Sequence, residues 1–495
     1  MTVPDWADVA AAVRLVDPAE VAGARWFGGK GRPVDRIEAV EAFDLGSGAA
    51  LALAEIGEQG AAAGRYVVPL VRRGATWRPA SEGDGAWRGL AVAIAEGRTL
   101  PALARGSGTA PPGAVTAAPG AVTAAPGPVT AALVCRPASG LRALVPGGAN
   151  HVARSAERAL RADRSKTAVV LGERLILKGY RRIEDGLNPE LELNAFLAEE
   201  VGFGAVPALA GYAEIVTARG TATIALLQEF LADGEDALEA TAEQLTAWIL
   251  APGQVTVEFA TEIAARMGEL TADLHAALAS GEGVPGFAPR EASREELRTW
   301  RRQALGQLQR ALDAVDGDAR RELQAMAPPI ADELTVLEAT PIVPIVTRVH
   351  AALDLGRVLL TPAGPRIVGF GGEPTRAIEE RRQPTSPLRD AASMLRSLDH
   401  AGRSARRRAE RRKGGWPDRP GLDVDAWLRR ARERFVERYR HGLREAGVPI
   451  AVDEDLLLAF ELEHECHELV HAATWLPDSM WAPLEGMRAL LGGGR

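Results

Sequence analysis

The sequence predicts an α+β protein in which strands come first and long helices follow. Between residues 168 and 231 short apolar runs alternate with polar turns, a pattern typical of β-strands. From Phe259 onward apolar residues recur at helical spacing, and Leu270, Leu274 and Leu278 form one stripe. Because the two patterns occupy separate parts of the chain, we expect a sheet-bearing lobe followed by a mainly helical lobe.

The composition is typical of a large globular protein. The chain has 495 residues, 46% hydrophobic and 25% charged, so it can bury a sizeable core and wholesale disorder is excluded. The net charge of −8 argues against a nucleic-acid partner. The two cysteines imply no disulfide framework and fit a reducing compartment. With no apolar leader and no run of about 18 apolar residues, we expect a cytoplasmic protein without a membrane partner.

The first 100 residues alternate apolar and polar stretches. Asp17 and Pro18 predict the start of a short helix, with Asp as N-cap and Pro at the first helical position. Residues 25–32 then read Arg-Trp-Phe-Gly-Gly-Lys-Gly-Arg, which by composition alone indicates a basic glycine turn on the surface.

A repeat of the type Pro-Gly-Ala-Val-Thr-Ala-Ala fills residues 106–132, with Pro112, Pro119 and Pro126 spaced seven apart. The spacing does not indicate a coiled coil, because proline and glycine interrupt every repeat and charged positions are missing. Since such a segment cannot bury a core, we predict a surface insertion or flexible linker.

Residues 133–233 have the features of a nucleotide-binding lobe. Lys178 ends the second of two predicted strands, where it is either a strand-edge lysine or a residue whose ammonium reaches nucleotide phosphates. A helix is predicted to follow, with Asn188 as cap and Pro189 first, and an acid in its first turn can pair with Lys178. Glu192 is the first candidate for that pairing and Glu190 the second. The polar turn before the first strand can lie over the phosphates, and its candidates are Ser165, Lys166 and Thr167.

The apolar run from Thr223 to Leu231 predicts a further strand that ends in polar residues. One interpretation is a buried strand; the other is a hinge whose backbone groups hydrogen-bond the edge of an adenine. From the residues alone both stay open. The hinge candidates are Gln228, Glu229 and Phe230.

Residues 348–374 combine two loops with a strand hairpin. An apolar approach ends at His350, and strands are predicted for Val358–Leu360 and Arg366–Val368, with a Pro-Ala-Gly turn between them. The second strand ends in Gly-Phe-Gly at 369–371. This is the layout of a kinase catalytic loop followed by its metal-binding loop. In kinases the first carries an Asp that accepts the hydroxyl proton, and the second an Asp that holds Mg²⁺.

With these motifs the chain resembles the maltokinase family, relatives of the aminoglycoside phosphotransferases with a protein-kinase-like fold. In that family the two loops have the sequences His-Gly-Asp-Leu-His-Leu-Gly-Gln and Asp-Phe-Glu-Gly-Glu-Pro. Residues 350–357 and 369–374 align with these motifs and match them at several positions. Residues 25–32 resemble the Arg-Trp-Phe-x-x-Lys-Gly-Arg signature of its N-terminal cap domain. Asn-Pro-Glu-Leu-Glu at 188–192 and Leu-Leu-Gln-Glu-Phe at 226–230 resemble its N-lobe and hinge.

The resemblance implies a bilobal protein-kinase-like fold. An α/β cap domain is expected at residues 1–105, a nucleotide-side N-lobe at 133–233 and a mainly helical C-lobe at 234–495. The loop pair at 348–374 and a sugar-side helix at 455–484 belong to the C-lobe.

Both loops depart from the family's chemistry. Ala352 stands where the family has its catalytic base, and Gly369 where it has the Asp that binds Mg²⁺. The base position is therefore degenerate, with Asp354 and His350 as fallback residues. On the phosphate or metal side the candidates are Arg357, which replaces a family Gln, and Glu373.

The C-terminal region contains His467-Glu468-Leu469-Val470-His471, which matches the His-Glu-x-x-His string of zinc proteases. His464 enlarges the cluster. Position 474 is Thr, no further His follows, and Glu485 falls short of the usual third-ligand separation, so we expect no zinc. In the maltokinases this region forms a sugar-facing wall, and the residues carried over to it are Glu461, Glu468 and Trp481.

The resemblance also implies a function. Maltokinases transfer the γ-phosphoryl of ATP to maltose, with Mg²⁺, to give maltose 1-phosphate for α-glucan synthesis. Because the base and the metal ligand are both replaced, the sequence favours a degenerate pseudokinase that binds a nucleotide or small sugar, or a protein partner in α-glucan metabolism. Two alternatives stay open. One is a working sugar or aminosugar kinase that uses Asp354, Arg357 and Glu373; the other, more remote, is a zinc-dependent hydrolase built on His467, Glu468 and His471.

Overall fold

The chain divides into two compact units in a computed structural model. The first comprises Met1–Glu200 and Pro207–Ala232, and the second comprises Val201–Val206 and Asp233–Arg495. None of the helices in the described part of the chain has the length and apolar character needed to cross a bilayer. The structure describes residues 4–24, 26–29, 32–58, 61–105, 131–160, 167–251, 253, 255–281, 283–373, 376–412, 416 and 421–492.

The first unit begins with an antiparallel sheet and the helices around it. The sheet has the strand order β1-β2-β3-β4. The predicted helix start at Asp17 is confirmed, since its carboxylate accepts a hydrogen bond from the Ala19 N–H at 2.8 Å. The elements are α1 (Trp6–Val13), α2 (Pro18–Gly23), β1 (Val34–Gly46), β2 (Ala49–Glu58), β3 (Ala61–Arg73), β4 (Thr76–Pro79) and α3 (Ala86–Glu96).

This first sheet is buried on both faces, and strand β2 shows why. Leu51 and Leu53 pack into a core that includes residues of α3, whereas Ala52, Ala54 and Ile56 pack into a core that includes residues of α1. Side chains alternate between the two faces of a strand, so a nearly continuous apolar run fills both cores.

The second sheet of this unit shares a core with the first. Among the described residues it has seven strands in the order β5-β6-β10-β11-β9-β8-β7. Helix α3 contacts strands of both sheets, and Trp87 on that helix leaves no room for a side chain at Gly179, where a Cβ would come within 2.6 Å of the indole. The remaining elements are β5 (Thr99–Pro101), β6 (Ala132–Pro137), α4 (Leu141–Leu144), α5 (Gly148–Arg154), β7 (Glu157–Ala159), β8 (Thr167–Leu171), β9 (Leu175–Gly179), α6 (Pro189–Ala195), β10 (Leu209–Thr217) and β11 (Gly220–Glu229).

The second unit is mainly helical. Its described strands form a three-stranded sheet of order β12-β15-β16 and the pair β13-β14. Its elements are β12 (Glu235–Asp236), α7 (Ala237–Leu250), α8 (Val257–Ala260), α9 (Glu262–Ala279), β13 (Arg290–Glu291), α10 (Arg294–Ala314), α11 (Gly317–Glu333), α12 (Val336–Ala339), β14 (Ile345–Val346), β15 (Val358–Thr361), β16 (Gly364–Ile367), α13 (Ile378–Arg381), α14 (Leu388–Arg411), α15 (Val424–Glu445), α16 (Glu454–Trp475) and α17 (Trp481–Leu491).

The α+β class is confirmed, with one correction to the helices. Residues 292–327 alternate Arg, Gln, Leu and Glu and so predict one long helix, but the structure has two, because α10 ends at Ala314 and α11 begins at Gly317. Gly317 has φ of 55°, a left-handed conformation that does not continue a helix from the preceding turn. The strand hairpin of the loop pair forms as expected, with Val358 paired to Ile367 across β15 and β16.

Candidate active site

In the first unit, Lys178 forms a buried ion pair with Glu190. The Lys178 Nζ lies 2.5 Å from Glu190 Oε1, and the Tyr180 hydroxyl donates to Glu190 Oε2 at 2.9 Å. The pairing therefore involves the second of our two candidates, and the preference for Glu192 is corrected. Helical residues two apart differ by about 200° in direction, so the face that buries Glu190 leaves Glu192 half-buried.

The cap of helix α6 positions this pair. Asn188 has extended backbone, and its side chain accepts from the Glu190 N–H at 2.8 Å. One turn later Asn194 accepts from Gln228 Nε2 at 2.8 Å, which ties α6 to strand β11. Gln228 is thus a buried structural link between a helix and the sheet.

The hinge candidates have backbone partners inside the protein. The Glu229 N–H donates to the Ala208 carbonyl at 2.9 Å, and the Phe230 N–H donates to the Arg174 carbonyl at 2.8 Å. These two N–H groups are therefore engaged within the sheet-bearing unit, which contradicts the idea that they are free to bind an adenine edge.

The polar turn is only partly described. Ser165 and Lys166 lie outside the described residues, while the Thr167 hydroxyl is buried and accepts from Arg181 Nε at 2.9 Å. Thr167 thus supports an arginine instead of facing a phosphate. Arg181 also lies over two indoles, 5.5 Å from the ring of Trp26 and 5.3 Å from that of Trp87. Burial lowers the pKa of Arg181 to about 10, so it remains charged at neutral pH.

In the second unit, Asp390 holds the backbone of the first loop. Its two carboxylate oxygens accept from the His350 N–H at 2.7 Å and from the Ala351 N–H at 2.9 Å. His275 lies on the apolar helix α9, a place that predicts a packing or capping role and not acid–base chemistry. It is fully buried between Asp390 (3.4 Å) and the Tyr439 hydroxyl (2.7 Å). Sequence reasoning missed Asp390; the signal was an acid in the first turn of α14, next to the apolar residues Leu388, Ala391 and Ala392.

His350 itself is structural. Its ring is fully buried, its Nε2–H donates to the Val368 carbonyl at 3.1 Å, and it packs 4.5 Å from the Phe370 ring. It therefore links the two loops, and its full burial argues against the fallback role as a catalytic residue.

The loop position that should bind a metal does not fit one. Gly369 has no side-chain ligand atom, and its φ of 84° lies in the left-handed region that disfavours a side chain. A Cβ on Gly369 would lie 3.2 Å from Cδ and Nη1 of Arg357. A guanidinium thus lies against the position where the resemblance calls for a metal-binding carboxylate. A divalent metal, which this loop layout implies, is not accommodated by these residues.

Asp354 is the carboxylate of the first loop. It is half-buried, and burial raises its pKa to about 6, although the nearby Arg357 lowers it and Glu468 raises it further. The carboxyl therefore changes its charge just below neutral pH, where a proton acceptor can work.

Helix α16 contacts the second loop through His467. His467 Nε2 lies 3.4 Å from Glu373 Oε2, and the hydrogen bond to Glu373 raises the pKa of His467. Burial favours a raised pKa for Glu468, but the four histidines around it, led by His464, hold that pKa below its usual value. No group of three or more His, Cys, Asp or Glu side chains in the described ranges is arranged to hold a metal ion.

The predicted sugar-side residues have different surroundings. Glu461 is fully buried, and its carboxylate pairs with Arg396 at 2.7 Å and with Arg432 at 2.5 Å, so the expectation that it faces a sugar is wrong. Trp481 is half-buried beneath the Arg407 guanidinium, 3.6 Å from its ring centre. Of the three residues, Glu468 interacts electrostatically with the loop pair, because its negative charge raises the pKa of Asp354.

A sheet with a buried Lys–Glu pair and a helical unit in which a buried Asp holds the first loop of a loop pair define a kinase-like fold. Residues 21–96 match the maltokinase N-terminal cap domain. A glucosamine kinase of Streptacidiphilus jiangxiensis is 28% identical over 490 residues, covering 97% of this chain and 96% of the relative. A glucosamine kinase of Mycolicibacterium smegmatis is 26% identical over 340 residues, covering 68% and 79%.

Solved structures agree with these relatives. A glucosamine kinase in complex with glucosamine, ADP and inorganic phosphate has a TM-score of 0.70 at 25% identity, covering 99% of this chain and 100% of that one. A second crystal form of a glucosamine kinase has a TM-score of 0.73 at 24% identity with the same coverage. The findings fit a maltokinase-like, kinase-fold family of sugar and aminosugar kinases, and the resemblance inferred from the motifs is confirmed.

Proposed function

We propose that this chain binds a nucleotide and a small amino sugar but has lost efficient phosphoryl transfer. The observation that supports this proposal is that the guanidinium of Arg357 lies against Gly369, where the resemblance implies a metal-binding carboxylate. Glucosamine is the favoured sugar class, because the full-length relatives are glucosamine kinases. ATP or ADP is the favoured nucleotide, because a similar structure carries ADP.

The loss of transfer follows from the chemistry of the reaction. Phosphoryl transfer depends on positioning and on charge stabilisation, to which the metal contributes several kcal/mol. Removing a general base costs about 10²–10⁴-fold in rate. With Ala352 at the base position and Gly369 at the metal position, both contributions are missing. What remains is a binding protein, and a regulatory role through a protein partner in α-glucan metabolism is compatible with it.

A second candidate function rests on Asp354. Its carboxyl lies two residues beyond the lost base, and burial raises its pKa to about 6. In this alternative Asp354 accepts the sugar hydroxyl proton, and the chain is a working aminosugar kinase with a rebuilt site.

Turnover separates the two functions. ATP consumption is measured with Mg²⁺ and either glucosamine or maltose, for the native chain and for the variant Ala352→Asp/Arg357→Gln/Gly369→Asp. Arg357 is replaced as well because its side chain would crowd the restored carboxylate. We expect the native chain to be at least 100-fold slower than the repaired variant. The pair Ala352→Asp/Arg357→Gln without the third change is the control.

Other outcomes are decisive as well. A native rate in the ordinary kinase range of roughly 1–100 s⁻¹ contradicts the proposal, and its loss in Asp354→Asn establishes the rebuilt site. If neither chain turns over and neither binds glucosamine or a nucleotide, the proposed binding function is wrong.

A further inference from the structure

Arg357 occupies a distinctive place in the loop pair. It ends the short 3₁₀ turn Leu355–Arg357 and directly precedes β15. Its carbonyl accepts from the Val368 N–H at 2.9 Å, which brings the two loops side by side. The side chain consequently lies along Gly369, with both Cδ and Nη1 at 3.2 Å from the site of a Cβ. Its placement is a consequence of the hairpin register.

The charge of Arg357 has little compensation from the protein. It is half-buried, and its guanidinium makes no hydrogen bond and no ion pair within 4 Å in the part of the chain that the structure describes. The acid that it influences electrostatically is Asp354, whose own burial disfavours ionisation. Most other half-buried arginines of this unit pair with acids, as Arg403 does with Asp399 at 2.5 Å. An uncompensated, half-buried cation favours an anionic ligand.

We propose that Arg357 binds the phosphates of a nucleoside di- or triphosphate directly, in place of a divalent cation, so that nucleotide binding by this chain does not require Mg²⁺. The inference rests on the proposed nucleotide-binding function. A planar guanidinium presents paired N–H donors that match two oxygens of a phosphate. The same group that prevents metal binding at Gly369 therefore supplies positive charge for the phosphates.

The test compares nucleotide affinity with and without metal. Binding of ADP and of ATP is measured by calorimetry in EDTA and in Mg²⁺, for the native chain, Arg357→Gln and Arg357→Lys. Arg429→Gln, at an exposed arginine of α15, is the control with the same change in net charge. The melting temperature of each unliganded variant verifies that it is folded.

We expect the native dissociation constant in EDTA to lie within threefold of that in Mg²⁺. Arg357→Gln should weaken binding in EDTA at least tenfold, Arg357→Lys less, and Arg429→Gln not at all. Binding that needs Mg²⁺, or that Arg357→Gln leaves unchanged, overturns this inference while the proposed function stands. Absence of nucleotide binding under either condition overturns both.

Discussion

At the scale of single residues, Ala351 has a strained backbone conformation at a position where the family motif has glycine. Its φ is 67°, a left-handed conformation for which the family motif has glycine and this chain has a side chain. An L-residue in this region costs roughly 1–2 kcal/mol, partly offset by the lower entropy of its unfolded state.

We therefore expect Ala351→Gly to raise the free energy of unfolding by about 0.5 kcal/mol, measured by denaturant titration. The adjacent Ala352 does not have a positive φ, so Ala352→Gly should lower the free energy of unfolding by about the same amount. Destabilisation by both substitutions would contradict strain at Ala351.

His467 predicts a dependence of stability on pH. Its pKa in the folded state is raised above 6.5, first by the hydrogen bond to Glu373, with Glu468 adding to the increase and burial and Arg376 opposing it. A raised folded pKa stabilises the protein fully below the unfolded pKa, and the contribution is lost as the pH rises through the folded value. The stabilisation by His467 should therefore be present in mild acid and disappear on the alkaline side.

Unfolding of the native chain and of His467→Gln is compared between pH 5.5 and 8.5. We expect a difference of up to about 0.5 kcal/mol at the acidic end that vanishes toward the alkaline end, since the pair is partly exposed. His441→Gln, at an exposed histidine of α15, controls for the substitution itself. A difference that grows with pH would show that His467 is not stabilised by Glu373.

At the scale of elements, an ion pair between Glu190 of helix α6 and Lys178 of strand β9 joins the helix to the sheet. Replacing Glu190 by Gln leaves the nearly buried Lys178 ammonium opposite a neutral amide. Breaking a buried ion pair in this way is expected to cost about 3 kcal/mol of unfolding free energy. Glu192→Gln on the half-buried face of the same helix should cost less than about 1 kcal/mol. Chemical denaturation of both variants measures this, and equal losses would contradict the pairing.

Helix α14 acts on the first loop in a comparable way. Asp390 accepts two backbone N–H groups of that loop, and hydrogen bonds to a charged group contribute roughly 1.5–3 kcal/mol each. Asp390→Asn keeps one acceptor, so we expect a loss of about 2 kcal/mol and faster amide exchange at residues 350 and 351. Asp425→Asn, at an exposed partner of Arg406, should lose less than about 1 kcal/mol. Unchanged exchange at the loop would show that Asp390 does not hold it.

At the scale of the molecule, the N-terminal sheet and the seven-stranded sheet share one core. Phe43 and Leu51 of the first sheet belong to the same hydrophobic cluster as Leu177 and Ile224 of the second. Removing residues 1–105 should therefore expose that core, and we expect the remaining chain to lose cooperative unfolding and to aggregate.

Excision of residues 106–130 is the matched comparison. The Ala102 N–H donates to the Ala131 carbonyl at 2.9 Å, so the residues on either side of the excised segment lie close together in the fold. A short Gly-Ser linker between Arg105 and Ala131 should change the free energy of unfolding by less than about 1 kcal/mol. A larger loss would show that the repeat contributes to the fold, against the prediction of an insertion or linker.

Much of this architecture was predictable from local sequence. The strands that flank Lys178, the Asn188 cap and the hairpin at 358–367 depend on residue type and spacing, which act over a few positions. The packing role of His275 was also predictable. The split between α10 and α11 was not, because the periodic pattern continues across a left-handed glycine.

The sequence by itself determined the fold class, the family resemblance and the absence of carboxylates at positions 352 and 369, since these are properties of residues in order along the chain. Only the tertiary structure decided that Lys178 pairs with Glu190, that Asp390 holds the first loop and that Glu461 is buried between two arginines. It also placed Arg357 against Gly369. The physical reason is that these contacts depend on which face of a helix or hairpin turns toward a neighbour distant in sequence.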